Sequence, residues 1–303
     1  HAATSDRLPV EEICPDFEAL YTDANAKPLI ITAPTGSGKS TRLPLWMRDL
    51  THTKRGKVLV IEPRRVACRA LATFLSEREG SKPGQQIGYS VRFEHVQSDE
   101  TRVLFVTPGV ALRLLSKETI DFEAVLIDEF HERGWEVDLV AAIIQRRRQQ
   151  ALASGETPLK FVLTSATLDA EHLQQALDAD LLQAEGRTYP VDILYQGCSP
   201  LPTQHDLEQR VERAVHRALS EGGEGGEVLV FLPGKGEIAA CASQLSGLER
   251  RHEGQIEVLE VHASLPMQRL MRAFSPPTPG KRRVFLSTNV AETSLTLPGV
   301  TWV

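Results

Sequence analysis

A glycine-rich stretch follows a short apolar run near the start of the chain. Its residues are Ala33-Pro34-Thr35-Gly36-Ser37-Gly38-Lys39-Ser40, and the apolar run before it is 29–33. The order matches the P-loop pattern, with Ala33 in place of the usual first glycine. Glycines let backbone N–H groups curl around phosphates, and the N-terminus of the following helix adds positive potential. The pattern predicts a nucleoside-triphosphate site; the alternative is a glycine-rich turn that binds no ligand.

The residue types of this stretch suit different parts of a triphosphate. The Lys39 ammonium is expected to reach the β- and γ-phosphates, and the Ser40 hydroxyl is expected to ligate Mg²⁺. ATP and Mg²⁺ are therefore the predicted cofactors. The other predicted nucleotide contacts here are Thr35, Gly36, Ser37, Gly38 and Thr41.

Two adjacent carboxylates end a second apolar run. Asp128 and Glu129 follow residues 124–127, and parallel strands of a doubly wound sheet bring their carboxyl ends to one edge. The carboxylates and the glycine-rich loop can therefore share one site. Asp128 suits the Mg²⁺ shell, and Glu129 suits both this shell and the orientation or deprotonation of an attacking water. The alternative is an acidic cap for the next helix, but the loop upstream favours hydrolysis.

Short β-branched runs alternate with longer amphipathic stretches, which predicts a parallel α/β fold with two domains, 1–186 and 187–303. Strands are predicted at 29–33, 57–62, 102–107, 124–128, 160–165, 191–195, 227–232, 256–262 and 283–288. Helices are predicted at 40–50, 66–79, 109–116, 135–152, 207–220, 237–248 and 267–274. Residues 300–303 resemble the opening of another buried strand, so the second domain is expected to be incomplete. Trp46, Trp135 and Trp302 lie in apolar contexts and are expected in the core.

Composition restricts the class of protein. Apolar residues make up 41% and charged residues 24% of the chain, which is typical of globular proteins. No apolar stretch approaches the roughly 20 residues of a bilayer span, and the N-terminal residues lack the apolar core of a secretory signal. Cys14, Cys68, Cys198 and Cys241 are too widely spaced for a zinc pair or a dense disulfide framework, which favours a reducing cytoplasm. The net charge of −6 does not itself indicate nucleic-acid binding, although a local basic track can still bind phosphates.

The acidic pair continues as Asp128-Glu129-Phe130-His131-Glu132-Arg133, a DExH variant. Together with further stretches in family order, it makes the chain resemble superfamily 2 helicases of the DEAH type, and among them the bacterial HrpB type. The stretches are 62–67 (motif Ia), 88–94, 107–109 (motif Ib), 165–167 (motif III), 231–234 (motif IV) and 287–296 (motif V). The resemblance covers residues 8–303 and implies two RecA-like P-loop domains. It also implies ATP-driven 3′-to-5′ movement on single-stranded RNA, and the chain is expected to act as a monomer.

The resemblance also implies a set of RNA contacts at strand ends. They are Arg64, Arg65, Thr107, Gly109, Thr288 and Asn289. Just past a buried strand, the two arginines could instead form a solvated pair. The threonines could instead be ordinary hydroxyls at helix starts, and the sequence leaves these alternatives open.

Further roles follow from the resemblance near the nucleotide. The hydroxyls of Ser165 and Thr167 are expected to hydrogen-bond the acidic pair and relay its state, with a turn that caps the next helix as the alternative. His131 could take part in the same relay and in catalysis, or be structural. Glu292 and Ser294 are expected to face the nucleotide from the second domain.

One departure from the family pattern bears on catalysis. No stretch after Thr296 matches motif VI, Q-R-x-G-R-A-G-R, which supplies arginine fingers to the hydrolysis site. Such fingers contribute about 10³ to 10⁵ in rate in related enzymes, so this chain is expected to bind ATP but hydrolyse it weakly. Two other functions stay open: a DNA-directed translocase, and a nucleotide-gated RNA-binding module that does not unwind duplexes.

Overall fold

The computed structural model of the protein describes residues 8–23, 27–51, 56–117, 120–165, 170–185, 190–195, 206–221, 226–251, 255–291, 297 and 299–303. The chain divides into two compact units, His1–Thr188 and Tyr189–Val303. The domain boundary expected near residue 186 falls in 186–189, outside the described residues.

The first unit is built on an eight-stranded sheet with the order β4-β3-β5-β2-β6-β7-β1-β8. Its strands are β1 (Leu29–Thr32), β2 (Lys57–Ile61), β3 (Ile87–Val91), β4 (Glu94–Val96), β5 (Val103–Val106), β6 (Phe122–Ile127), β7 (Lys160–Ser165) and β8 (Asp180–Gln183). Neighbouring strands are parallel except for β3 and β4, which form an antiparallel pair at one edge. The parallel strands therefore all bring their carboxyl ends to the same edge.

The central strands are buried on both faces. On β2, Val58 and Val60 belong to one apolar cluster, while Leu59 and Ile61 belong to a second cluster on the opposite face. This division follows from the two-residue period of strand side chains. Continuous apolar runs such as 58–61 in β2 suit a sheet that is covered by helices on both sides.

The second unit contains a smaller parallel sheet with the order β10-β11-β9-β12. Its strands are β9 (Glu227–Phe231), β10 (Ile256–Val261), β11 (Arg282–Ser287) and β12 (Val300–Trp302). The side chains of Val215, Ile238 and Val284 are fully buried in its core. Helices and strands thus form a separate apolar cluster in this unit.

Helices flank both sheets. They are α1 (Cys14–Thr22), α2 (Lys39–Asp49), α3 (Arg65–Arg78), α4 (Pro108–Leu115), α5 (Trp135–Ser154) and α6 (Ala170–Leu177) in the first unit, and α7 (Leu207–Glu221), α8 (Lys235–Arg251) and α9 (Met267–Phe274) in the second. Helix α4 begins at Pro108, because the fixed φ of proline suits the first helical position. Helix α5 ends before Gly155, whose φ of 72° lies in the left-handed region favoured after a helix. In the described part of the chain, no helix combines the length and hydropathy required to cross a bilayer.

The expected fold class is confirmed: the chain is α/β with parallel sheets. The strand expected at 191–195 is wrong, because residues 190–195 form no strand and the side chains of Val191 and Tyr195 are exposed. Their alternation has the period of a strand, but a strand also needs a hydrogen-bonded neighbour. Strand β12 is present, although Val300 is only half-buried and Val303 is exposed. Elements α1, β3, β4, α6 and β8 are additions to the expected set.

Candidate active site

Seven parallel strands of the first unit end at one edge of its sheet, which we call the carboxyl edge. The strand register pairs Ile61 with both Val106 and Ile127, and it pairs Thr32 with Ser165. The residues that follow these strands are therefore neighbours. They are the glycine-rich loop 33–38, Glu62, Thr107, Asp128 and Glu129.

The glycine-rich loop connects β1 to α2. Gly36 has a φ of 78° and Gly38 a φ of 94°, and both values lie in the left-handed region that favours glycine. The N–H group of Ser37 donates to the carbonyl of Pro34 at 3.2 Å, and α2 begins directly after the loop. A tight loop that leads straight into a helix N-terminus is suited to an anion such as phosphate.

Lys39 is the first residue of α2, and only 3% of it is exposed. Its ammonium donates to the carbonyl of Ala33 at 2.6 Å and to that of Pro34 at 3.1 Å. These contacts hold the charge at the loop, where the expected phosphates would lie. A buried ammonium beside a glycine-rich loop supports the role predicted for Lys39.

The other residues predicted around the phosphates differ in exposure. Thr35 is exposed, while Ser40 and Thr41 are half-buried. The hydroxyl of Thr41 donates to the carbonyl of Gly38 at 3.1 Å, a contact within the first turn of α2. The Ser37 hydroxyl is buried and has no hydrogen-bond partner, which leaves it available to a phosphate oxygen.

The two carboxylates of the acidic pair are buried directly after β6. Glu129 has a φ of 50°, in the left-handed region. Its N–H group donates to Asp128 Oδ1 at 3.0 Å and to Thr164 Oγ1 at 3.1 Å, and the Thr164 hydroxyl donates to the same Asp128 oxygen. One oxygen of Asp128 is therefore fixed by two donors.

The carboxyl group of Glu129 is poised to exchange a proton. Burial and the neighbouring charge of Asp128 raise its pKa from 4.5 to about 7, while Lys39 and Arg64 oppose this increase. A general base is most effective when its pKa lies near the working pH. The geometry and the pKa together support Glu129 as the group that orients or deprotonates water.

Sequence reasoning missed Glu62, which is fully buried after β2. Burial and then the charge of Asp128 raise its pKa well above the usual value. Two ionised carboxylates repel one another, so the buried carboxyl group of Glu62 favours its protonated form beside Asp128. A signal was present in the sequence, because Glu62 follows β2 as Asp128 follows β6.

The residues at the carboxyl edge fit a nucleotide-bound Mg²⁺. This ion is usually held by one or two protein oxygens together with phosphates and water. Asp128 Oδ2 is a buried carboxylate oxygen without a hydrogen-bond partner, and Ser40 offers a hydroxyl near the loop. Among the described residues, no cluster of three or more His, Cys, Asp or Glu side chains could hold a metal ion. Phosphate oxygens would therefore have to supply part of the shell.

His131 and Ser165 are both placed near the acidic pair. The His131 Nδ1 atom lies 3.4 Å from Glu129 Oε2, in the short 3-10 turn Phe130–Glu132. Ser165 is the buried last residue of β7, and Thr167 lies outside the described residues. The hydroxyl of Thr164, one position before the expected motif, donates to Asp128. Sequence reasoning missed this residue.

The two arginines after β2 have different surroundings. Arg64 is half-buried, and its Nη2 lies 3.5 Å from Glu132 Oε2. Arg65 is exposed and donates to the carbonyl of Arg92 at 3.0 Å. Arg92 and Phe93 form the turn between β3 and β4. The guanidinium carbon of Arg92 lies 4.8 Å from the centre of the Phe93 ring, and Phe93 is 85% exposed. Sequence reasoning did not single out this turn as a site.

The other predicted RNA contacts are also at strand ends. Thr107 precedes α4, and its carbonyl accepts the N–H groups of Val110 and Ala111, which is the contact of a helix start. Gly109 is exposed in the first turn of α4. These two residues are therefore placed at the carboxyl edge of the first unit.

In the second unit, Thr288 follows β11 and is half-buried, while Asn289 is exposed. The N–H group of Thr288 donates to the carbonyl of Val261 at 3.1 Å, which ties the end of β11 to that of β10. Glu292 and Ser294 lie outside the described residues.

A cavity of about 310 Å³ opens beside the acidic pair. Pro63, Pro108, Asp128 and Trp135 are among its lining residues. The expectation of a buried Trp135 is wrong, because this side chain is 72% exposed. The reason is its position as the first residue of α5, ahead of the turn at which Val140 reaches the core.

The glycine-rich loop, the buried lysine and the paired carboxylates at one sheet edge are the features of P-loop proteins. Residues 17–176 match the family described as DEAD/DEAH box helicase, and residues 210–303 match the helicase conserved C-terminal domain. The chain belongs to the DEAD/DEAH box helicase family.

Similar proteins include the ATP-dependent RNA helicase HrpB of Escherichia coli, which is 37% identical over 97% of this chain and 35% of its own length. The ATP-dependent RNA helicase DHX33 of Mus musculus is 34% identical over 90% of this chain and 40% of its own. The crystal structure of the Escherichia coli DEAH/RHA helicase HrpB matches with a TM-score of 0.82 and 37% identity, over 96% of this chain and 36% of that chain. The chain thus spans about a third of the length of the curated relatives it matches.

Proposed function

We propose that the chain is the ATP-driven part of an RNA helicase, which hydrolyses ATP to move along or unwind RNA. The observation that carries the proposal is the carboxyl edge of the first unit. There the buried Lys39 lies at the glycine-rich loop, and the buried carboxyl group of Glu129 has a pKa of about 7. The similarity to RNA helicases such as HrpB supports RNA as the substrate.

Each group at this edge has one task in the proposed reaction. Lys39 stabilises negative charge on the β- and γ-phosphates, and Asp128 and Ser40 would hold Mg²⁺ with Glu129 near its shell. When bound, Mg²⁺ supplies further charge neutralisation at the phosphates. Glu129 orients a water for in-line attack on the γ-phosphorus and accepts its proton, while the bond from this phosphorus to the β–γ bridging oxygen breaks and ADP leaves. His131, 3.4 Å from the Glu129 carboxylate, orients this carboxylate.

The RNA surface in the first unit is proposed from charge and exposure. Arg65 is exposed and suits a phosphate, as does the polar start of α4 at Thr107 and Gly109. The exposed ring of Phe93, with the Arg92 guanidinium over it, suits the stacking of a base. Stacking and phosphate contacts of this kind are independent of base sequence, so the proposed grip is not sequence-specific.

In the second unit, we propose that Thr288 and Asn289 contact the RNA and that Glu292 and Ser294 contact the nucleotide. In the first unit, Ser165 and Thr167 are proposed to couple the binding of RNA to that of the nucleotide.

We also propose a bacterial, cytoplasmic protein that acts as a monomer with RecA-like domains. Among the described residues, Cys14, Cys68 and Cys241 form no disulfide, which suits a reducing compartment. The bacterial origin rests on the similarity to HrpB of Escherichia coli.

The test is ATP turnover by the full-length protein with and without single strands, together with unwinding of tailed duplexes. We expect stimulation by RNA above that by DNA, and unwinding of a duplex with a 3′ tail. The E129Q variant should bind ATP but lose turnover, whereas E171Q, a change at an exposed carboxylate of α6, should behave as the wild type. Preference for DNA would indicate a DNA translocase, and RNA-dependent ATP binding without unwinding would indicate a gated binding module. Unchanged turnover in E129Q would contradict the proposed chemistry.

A further inference from the structure

The hydroxyl of Thr164 occupies a buried position between the two residues of the acidic pair. Thr164 is the residue before the last in β7, and none of it is exposed. Strand β7 lies beside β6, where the register pairs Leu163 with Ile127. The next residue of β7 is therefore opposite Asp128, at the point where β6 ends.

The hydroxyl of Thr164 makes one hydrogen bond as a donor and one as an acceptor, and both join it to the acidic pair. The proton of Thr164 is donated to Asp128 Oδ1, and the oxygen accepts the N–H group of Glu129 at 3.1 Å. That N–H group also lies 3.0 Å from Asp128 Oδ1. One hydroxyl thus links the side chain of one acidic residue to the backbone of the other.

This link fixes two features that the proposed chemistry needs. The first is the rotation of the Asp128 carboxylate, which directs its other oxygen away from Thr164 and leaves it without a hydrogen-bond partner. The second is the backbone of Glu129, whose φ of 50° is unfavourable for a residue with a side chain. A strained backbone persists when surrounding contacts over-determine it.

We propose that Thr164 is a positioning residue for ATP hydrolysis, because its hydroxyl holds the Asp128 carboxylate and the Glu129 backbone in their working orientation. This inference rests on the function proposed above. It differs from the expectation for Ser165 and Thr167, because successive strand residues point to opposite faces of the sheet and Thr164 faces away from Ser165.

Substitutions of matched size separate the hydroxyl from the volume of the side chain. T164V keeps the shape but removes the donor, and T164S keeps the donor but removes a methyl group. T101V is the matched control, because Thr101 is also buried in the first unit. Its hydroxyl likewise bonds to backbone, donating to the carbonyls of Gly84 and Gln85.

The first measurement needs no nucleotide. Hydrogen exchange of the Glu129 amide in the full chain should be about tenfold faster in T164V, because the hydroxyl that accepts this N–H group is gone. T164S should stay within about threefold of the wild type, and T101V should leave this amide unchanged. Equal exchange in T164V and the wild type would overturn the proposal, whether or not the protein hydrolyses ATP.

The second measurement is the Mg²⁺ dependence of ATP turnover by the full-length protein. T164V should need about tenfold more Mg²⁺ for half-maximal turnover and should lower kcat more than it raises KM for ATP, since a charged hydrogen bond is lost at the site. T164S should restore both values, and T101V should change neither. An equal shift in T101V, or none in T164V, would assign Thr164 a purely structural role. A wild type without turnover would count against the proposed function, and amide exchange would then decide the role of Thr164.

Discussion

The two units bury charge in opposite ways. In the first unit, the carboxyl groups of Glu62, Asp128 and Glu129 crowd together at the carboxyl edge of the sheet, and the pKa values of Glu62 and Glu129 are raised. In the second unit, the buried charges lie near the opposite ends of the strands. There Arg283 donates to both oxygens of Glu227, at 2.6 and 2.9 Å, and both side chains are almost fully buried.

The difference separates a reactive site from a structural one. A bidentate arginine–carboxylate pair satisfies both partners, so it stabilises a fold without offering an atom to a ligand. Buried like charges are costly, and such clusters are typical of sites at which a ligand or a metal later supplies the missing positive charge. The same kind of parallel sheet thus carries a satisfied pair in one unit and an unsatisfied cluster in the other.

The largest effect should come from Lys39, and the second unit offers a matched control. The stretch Gly234-Lys235-Gly236 resembles a phosphate loop but lacks a following Ser or Thr, and Lys235 is exposed at the start of α8. K39A should lower ATP turnover at least about 10³-fold, because the charge at the phosphates is lost. K235A should leave turnover unchanged. A steady-state ATPase assay on both variants measures this contrast, which would disappear if the two lysines acted alike.

The ion pair of the second unit should matter for stability alone. E227Q leaves the buried Arg283 without its counter-charge and should lower the free energy of unfolding by about 3–5 kcal/mol. Denaturant titration followed by circular dichroism measures the loss. Turnover per folded molecule should stay within about twofold of the wild type, since Glu227 and Arg283 lie near the amino ends of β9 and β11, whereas Thr288 follows the carboxyl end of β11. A loss of turnover without a loss of stability would contradict a purely structural role for the pair of Glu227 and Arg283.

The pKa of Glu129 predicts a dependence of stability on pH. Because this pKa rises from 4.5 to about 7 on folding, the folded state binds more protons between these values, and stability falls as the pH rises through this interval. E129Q removes this titration. Its stability relative to the wild type should therefore increase by up to about 3 kcal/mol between pH 4.5 and 7 and level off above. A difference that does not change with pH would show that the carboxyl group titrates normally.

The smallest effect concerns the proposed RNA surface. R65A should weaken the binding of single-stranded RNA by about three- to tenfold and reduce the slope of log affinity against log salt by about one. Fluorescence anisotropy at several salt concentrations measures both quantities. R78A is the control, because Arg78 is exposed at the far end of the same helix. Equal effects of the two changes would indicate diffuse attraction in place of a defined contact.

The sequence predicted the elements that depend on local patterns. Doubly buried strands such as β2 and β7 contain apolar runs, at 58–61 and 161–163, and the glycine-rich loop has an unmistakable order of residue types. These features positioned Lys39, Asp128 and Glu129 correctly at one sheet edge. Periodicity alone did not indicate α1, because its apolar and polar residues are not clearly segregated along the helix.

The contacts between strands could not be predicted from the sequence. The hydrogen bond from Thr164 to Asp128 depends on the register of β6 and β7, and the crowding of Glu62 depends on that of β2 and β6. Pattern reasoning singled out Ser165 and Thr167 for the relay and did not single out Thr164, whose hydroxyl contacts Asp128. Similarly, a short β-branched run suggested a strand at 191–195, where the described residues supply no pairing partner.

The exposed indole of Trp135 is an intrinsic fluorescent probe of ligand binding at the carboxyl edge. Trp46 packs against Phe17, with ring centres 5.7 Å apart, and Trp302 packs against the apolar cluster of the second unit. The fluorescence of Trp46 and Trp302 should have a blue-shifted emission maximum and be quenched only weakly by iodide or acrylamide. The fluorescence of Trp135, which lies beside the acidic pair, should be red-shifted and readily quenched. Arrival of a ligand at this edge can therefore be followed in unlabelled protein by fluorescence alone.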